Sequence, residues 1–331
     1  MREKILIITD NLRDQVNGVV TTFNNLEKQA HKNGYNVEFI DPSRFSHIGC
    51  PGYSEVKLSW PWGIGKMIRN SNPDYIHIAT EGPIGVAASN YCWRKGLRYN
   101  TSYHTKFPEF LNKIYDIPMS WTYWYVKWFH KHSGKVLTTT QTMVNELKAN
   151  GFNWEIIPWT RGVDRKHLMA TVNHKTNIVP MVLYAGRVSR EKGLDDLCQL
   201  GNKYHIVIVG DGPDRIRLQQ QYPLVEFVGY KKGTDLANYY VQADVFAFPS
   251  RVDTFGIVMI EAISLGTPVA AYPVTGPIDV IESGINGYMN DDLSTAIDLS
   301  LQLDRDTVKS SGEHWTWENC WNIFHKNLIK K

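Results

Sequence analysis

Short β-branched runs alternating with helix-period segments constrain this 331-residue chain more than any other feature. In the first half the runs fall at Lys4–Thr9, Val37–Ile40, Tyr75–Ala79, Tyr99–Tyr103, Lys135–Thr139 and Glu155–Ile157. In the second they fall at Met181–Ala185, His205–Val209, Val225–Val228, Val245–Phe248 and Pro268–Ala271. Between them lie helical patterns such as Val19–Lys32, Ile84–Trp93, Leu236–Gln242 and Gly256–Leu265. Strand alternating with helix predicts parallel sheets covered on both faces. The series restarts after Arg161-Gly162-Val163-Asp164, and the polar stretch Asn173–Asn177 leads into a new first strand. A linker is expected at about 162–178, between an N-terminal domain over 1–161 and a C-terminal domain over 162–313. The C-terminal helical run 314–331, with Trp315, Trp317, Trp321 and Phe324, is expected to pack back onto the first domain. The fold class is therefore α/β, two facing Rossmann-like domains with an interdomain cleft. Ligands of such sheets bind beyond the carboxyl ends of the strands, so chemistry belongs to the loops that follow strands.

Composition narrows the setting. Charged residues are 21% and hydrophobic residues 43%, as in globular proteins rather than disordered chains. Cys50, Cys92, Cys198 and Cys320 are widely spaced, which points to reduced thiols rather than a zinc cage or disulfide framework. No apolar run approaches the roughly 18 residues of a membrane span. The N-terminal apolar run is too short for a signal peptide. Residues 1–160 hold 18 Lys and Arg against 13 Asp and Glu, while residues 161–331 hold 18 against 20. Eight of the eleven tryptophans also lie in the first half, so that half suits either an anionic surface or simply a Trp-rich core below solvated charges.

Three loops after strands carry the chemistry. Gly186-Arg187-Val188-Ser189-Arg190-Glu191-Lys192-Gly193 brings two cations to a strand end, suited to the charge growing on a leaving diphosphate. Val209-Gly210-Asp211-Gly212-Pro213 makes a tight turn at the same rim. Phe248–Ala262 passes from strand through a turn into a helix expected to begin near 254–256. Backbone N–H groups at such a helix start favour an anion, and Gly256 lets it approach closely. Asp253 and Glu261, eight apart, fit one carboxylate at the helix mouth and one two turns along, on sugar hydroxyls and a ribose diol. Asp253 reads equally as a cap, and Glu261 as a surface residue.

Taken in order, G-R-x-x-x-E-K-G, V-G-D-G-P, F-x-G, A-D-V-F-x-F-P-S and D-x-F-G-x-x-x-x-E-A-x-x-x-G-x-P-V resemble the retaining glycosyltransferases of family 4, which have the GT-B architecture. The N-terminal half adds Val16–Thr22, Ala79–Pro83 and Ser102–Thr105, and the pattern is most similar to the glycerolipid branch, including sulfoquinovosyl-, glucuronosyl- and mannosyl-diacylglycerol-type synthases. The resemblance implies a hexose or hexuronic acid transferred from a nucleotide-diphosphate sugar, UDP-sugar favoured, to a lipid such as diacylglycerol. It implies Arg187 and Lys192 on the diphosphate, Glu261 on the ribose, and Asp253 on the sugar with the backbone of Thr254, Phe255, Gly256 and Ile257. Gly229 and Tyr230 would edge the nucleobase, and Asn17, Gly18 and Val19 would form a glycine loop near phosphates and acceptor. His104 would sit by the reacting sugar, its protonation state open. Where the family has Glu, this chain has the shorter Asp253.

Retention would follow a front-face route, with Glu109 and Asp116 open as alternative nucleophiles. No cofactor is expected beyond the nucleotide sugar as substrate, and no metal. Asp304-Arg305-Asp306 spells D-x-D but lies in polar C-terminal helices away from strand-end loops. For the acceptor side, Trp60 and Trp62 alternate with Lys66 and Arg69. Trp121, Trp124, Tyr125, Trp128 and Phe129 recur at helical spacing with Lys127 and Lys131 alongside. These suit peripheral docking on the cytoplasmic face of an anionic membrane, or the core. Open alternatives are a soluble, polysaccharide or nucleic-acid acceptor, or a nucleotide-sugar epimerase of similar fold. A nicotinamide dehydrogenase would need G-x-G-x-x-G where this chain has Asn17-Gly18.

Overall fold

The structure is a computed structural model that describes residues 2–15, 17–50, 53–175 and 177–331. Val16, at the start of the Val16–Thr22 stretch, and Thr176 of the linker stretch lie outside the described residues. The chain divides into two compact units, Met1–Arg161 with Trp317–Lys331, and Gly162–Thr316.

The first unit runs β1 (Lys4–Ile8), α1 (Gly18–Lys32), β2 (Asn36–Ile40), β3 (His47–Cys50), β4 (Tyr53–Ser59), α2 (Ile64–Ser71) and β5 (Tyr75–Ile78). It continues through α3 (Pro83–Arg94), β6 (Asn100–Tyr103), α4 (Phe107–Tyr115), α5 (Met119–His130), β7 (Val136–Thr138), α6 (Gln141–Ala149) and β8 (Ile156–Pro158). Six strands form one parallel sheet in the order β2-β1-β5-β6-β7-β8. Every residue of β5, β6 and β7 is buried, as expected of strands covered on both faces. The antiparallel pair β3–β4 stands apart from this sheet and was not anticipated.

The second unit runs β9 (Met181–Ala185), α7 (Leu194–Cys198), β10 (His205–Val209), α8 (Arg215–Gln221), β11 (Glu226–Gly229), α9 (Gly233–Gln242) and β12 (Val245–Phe248). There follow α10 (Ile257–Ser264), β13 (Val269–Ala271), α11 (Pro277–Val280), β14 (Gly287–Met289), α12 (Leu293–Ser300) and α13 (Arg305–Ser311). Its parallel sheet has the order β11-β10-β9-β12-β13-β14. β9 leads to β10 on one side and pairs with β12 on the other, so the order reverses at β9. Such a reversal parts the loops beyond the carboxyl ends and opens a crevice there.

The last helix, α14 (Trp317–Lys326), belongs to the first unit. Trp317, Trp321 and Phe324 are buried, whereas Trp315 is buried in the second unit, its ring 5.4 Å from Phe255. Phe324 packs on Trp159 at 5.2 Å and on His77 at 5.0 Å, and the Trp159 Nε1–H donates to the Cys320 carbonyl at 2.9 Å. Trp159 is fully buried, and truncating such an aromatic costs about 3–5 kcal/mol. Its contacts to α14 therefore hold the end of β8 in place.

Candidate active site

In the second unit the strand-end loops are stitched together by backbone. The Gly186 N–H donates to Val209 O and the Gly210 N–H to Gly229 O, both at 2.9 Å. Val188 N–H donates to Asp211 O at 2.9 Å, and Asp214 N–H returns to Val188 O at 3.1 Å. The loops approach so closely that a Cβ on Gly210, whose φ is +137°, would sit 1.8 Å from the Gly186 carbonyl oxygen. The glycines of Val209-Gly210-Asp211-Gly212 are there for loop-on-loop packing.

Across the crevice the loops after β9 and β12 meet through Lys192, whose ammonium donates to both Asp253 oxygens at 2.6 and 2.8 Å. Both side chains stay partly exposed. Tyr184 O–H donates to the Arg187 carbonyl at 2.9 Å, which sets the turn carrying Arg187. α10 starts at Ile257, slightly later than the expected 254–256, after Gly256 at φ +86°. No side chain caps its N-terminus; the Met259 N–H of the first turn donates back to Gly256 O at 3.0 Å, and the N–H groups ahead of it are the ones suited to an anionic ligand. Thr254 and Phe255 are both buried. Gly229, at φ +74°, and half-exposed Tyr230 end β11 on the far side of β10.

Glu261 lies one turn into α10 and accepts a hydrogen bond from Tyr240 O–H at 3.0 Å. Burial raises its carboxyl to about 7, partly offset by that bond. A little solvent reaches it, but burial still disfavours the ionised carboxylate.

In the first unit Asn17 caps α1, its side-chain oxygen accepting from Val20 N–H at 2.9 Å, and Gly18 opens the helix in an exposed position. By contrast α3 has its N-terminus closed from within, since Asp10 accepts from Ile84 N–H at 2.7 Å, Gly85 N–H at 3.2 Å and Thr80 Oγ1 at 2.7 Å. Burial nevertheless raises Asp10 to about 6. Glu109 Oε1 accepts from Tyr123 O–H at 2.7 Å, and Asp116 ends α4 at φ +56°. His104 follows β6 and packs edge-on against Phe23 at 5.6 Å. Its Nδ1 lies 2.9 Å from an Arg161 Nη2. Burial first, then the Arg161 charge, push its pKa well below the ordinary range, so the ring is neutral. Arg161 escaped sequence reading because it was read only as the last residue before the linker; its place just beyond β8, at a strand end, was the signal.

The acceptor-side residues divide. Trp60, Trp62 and Trp124 are 47%, 83% and 68% exposed, and Lys66 and Arg69 on α2 are exposed. Trp121 is likewise exposed, but Phe129 is buried and Trp128 packs partly against the same core. The five aromatics of α5 therefore do not form one exposed stripe: Trp121 and Trp124 are exposed, while Tyr125, Trp128 and Phe129 pack against core residues. Asp304 caps α13 by accepting from Thr307 N–H at 2.8 Å. Asp304 and Asp306 share a depression with His174 and Asp244, whose Oδ2 accepts from the Met181 N–H at the start of β9. That is the amino-terminal edge of the sheet, opposite the crevice.

Residues 16–167 match the model described as Glycosyltransferase Family 4, and residues 171–305 match Glycosyl transferases group 1. The chain is 27% identical over 317 residues to a GDP-mannose-dependent alpha-mannosyltransferase of Corynebacterium glutamicum, covering 87% of this chain and 76% of that protein. It is also 27% identical over 265 residues to the sulfoquinovosyl transferase SQD2 of Arabidopsis thaliana, covering 72% of this chain and 51% of that protein. The solved sucrose-phosphate synthase of Thermosynechococcus elongatus superposes with a TM-score of 0.78 at 19% identity over 98% of both chains, which establishes the shared fold.

Proposed function

From the premise that this chain is a GT-B glycosyltransferase of the group 1 and family 4 kind, we propose that it moves a hexose or hexuronic acid from a nucleotide-diphosphate sugar to a lipid hydroxyl with retention at the anomeric carbon. The observation that carries the donor reading is the crevice at the β9 reversal, where Lys192, Asp253 and the uncapped start of α10 converge. Arg187, Lys192 and the α10 N–H groups would take the diphosphate and its growing charge, Glu261 the ribose diol, and Gly229 with Tyr230 the base. With donor loaded, the sugar hydroxyls would compete for Asp253, loosening its hold on Lys192 toward the phosphates. His104, neutral, would donate a hydrogen bond without adding charge. The departing phosphate would receive the acceptor proton, so no enzyme nucleophile is needed. Cationic side chains fill the role of a divalent ion, and Asp304 with Asp306 stands at the wrong edge of the sheet to supply one. Nucleotide release from a panel of UDP- and GDP-sugars with diacylglycerol should therefore survive EDTA. Complete loss restored by Mg²⁺ or Mn²⁺ would overturn the metal-independent reading.

The relatives named for sulfoquinovosyl and mannosyl transfer, and the exposed Trp60, Trp62, Trp121 and Trp124 with Lys66 and Arg69, support docking on an anionic bilayer. No helix of the described residues is long and apolar enough to cross one. Each cation near such a surface adds about 1 kcal/mol. Flotation with anionic vesicles should fall as salt rises, and Lys66→Glu with Arg69→Glu should weaken it roughly tenfold or more while nucleotide affinity stays normal. Indifference to anionic vesicles at low salt, with ready transfer to a soluble acceptor, would replace the lipid by that acceptor.

A further inference from the structure

We infer that Arg161 is the positioning residue that fixes His104 as a neutral imidazole with its proton on Nε2. The inference rests on the reading of His104 as a residue of the sugar site and deepens it. Arg161 is 3% exposed, and among the described residues no carboxylate is bonded to it. Its Nη1 donates to the Trp159 and Thr160 carbonyls at 2.6 and 3.0 Å, its guanidinium carbon lies 4.5 Å from the Trp159 ring centre, and Nη2 meets His104 Nδ1 at 2.9 Å. A buried cation without a counter-charge costs several kcal/mol, a cost an apolar side chain of the same volume would avoid.

The chemistry of the contact is forced. A guanidinium carries only donors, so Nδ1 must present its lone pair, and the one ring proton of a neutral imidazole must then reside on Nε2. The titratable groups facing His104 are Arg161 from the segment after β8, His77 from β5 and His130 from α5, and the Arg161 charge opposes a second proton on its ring. Burial lowers Arg161 itself only to about 10, so it remains a cation at neutral pH. The result is a ring whose Nε2 is always a donor. A free imidazole would divide between two tautomers and, below about pH 6.5, an imidazolium. The alignment reaches back through Trp159, which α14 grips through Cys320 and Phe324, so the last helix holds the platform on which Arg161 rests.

Nitrogen-15 spectra of histidine-labelled protein, with His104 assigned by loss of its signal in His104→Gln, read the tautomer directly. Wild type should show a pyridine-like Nδ1 and a protonated Nε2 from pH 5.5 to 8. A protonated Nδ1 in wild type overturns the proposal without any variant. Arg161→Met should mix the tautomers, let the ring titrate at higher pH, and lower kcat roughly 10–100-fold with little change in donor KM, as losing the outer partner of a functional histidine does. Arg161→Lys, which still donates to Nδ1, should restore the tautomer and most of the rate. An unchanged tautomer and rate in folded Arg161→Met would overturn the proposal. His104→Ala separates the two readings. If it turns over normally while Arg161→Met mixes the tautomers, the role of His104 in the site fails and the lock on its proton stands.

Discussion

Lys192→Ala should lower kcat for sugar transfer by roughly 10²–10³-fold, the usual cost of removing one group that stabilises transition-state charge. The fold should hardly notice. Lys192 and Asp253 are both partly exposed, and ion pairs of that kind contribute about 0–1 kcal/mol to stability. The separation of a large kinetic effect from a small thermal one is the point of the experiment. Because the two side chains share two hydrogen bonds, the double variant Lys192→Ala with Asp253→Ala should lose much less than the sum of the single losses. Steady-state nucleotide release measures both. A fall of less than about threefold in the single variant would remove Lys192 from the diphosphate site.

Glu261→Gln should move stability and donor affinity in opposite directions. The folded pKa is about 7 against 4.5 for an ordinary glutamate, so the native state binds the proton more tightly than the unfolded chain. The cost of holding this carboxylate is absent below pH 4.5, grows as pH rises from 4.5 to 7, and is constant above. Its upper bound is about 3 kcal/mol, and residual solvent reduces it to roughly 1–2 kcal/mol. Glutamine removes that cost, so the variant should melt several degrees higher at pH 8 and at the same temperature as wild type at pH 4.5. Nucleoside-diphosphate affinity should fall roughly tenfold or more, because a carboxylate can accept both hydroxyls of a ribose diol and an amide oxygen only poorly. Wild-type affinity should strengthen between pH 6 and 8 and the variant should lose this dependence, as titration calorimetry would record. Unchanged affinity in Glu261→Gln would release the residue from the ribose.

Such a site could be read only in part from the chain. Met181–Ala185, His205–Val209 and Val245–Phe248 are strands over the residues anticipated, because interior parallel strands are continuous apolar runs bounded by turns. Gly287–Met289 and the β3–β4 pair escaped notice: three residues without an apolar run, and an isolated hairpin, carry little pattern. Charged loops after strands are visible in sequence, but the partner of each charge is not. Lys192 meets Asp253 across 61 residues and Arg161 meets His104 across 57, distances no local rule spans. Burial is equally silent in sequence, so neither the raised Glu261 nor the neutral His104 had a local sign. On α5, where aromatics recur on two sides of the helix, spacing alone did not separate the exposed Trp124 from the buried Phe129.

Retention by a nucleotide-sugar transferase is the centre of this account, and the anomeric configuration of the first product tests it most directly. The enzyme would be given an α-linked nucleotide sugar and diacylglycerol in anionic vesicles, with EDTA present. The anomeric proton coupling of the glycolipid would be read by NMR. The account predicts an α-linked product with one equivalent of nucleoside diphosphate released per glycoside formed. A β-linked product, or an altered nucleotide sugar with no acceptor glycosylated, would contradict it.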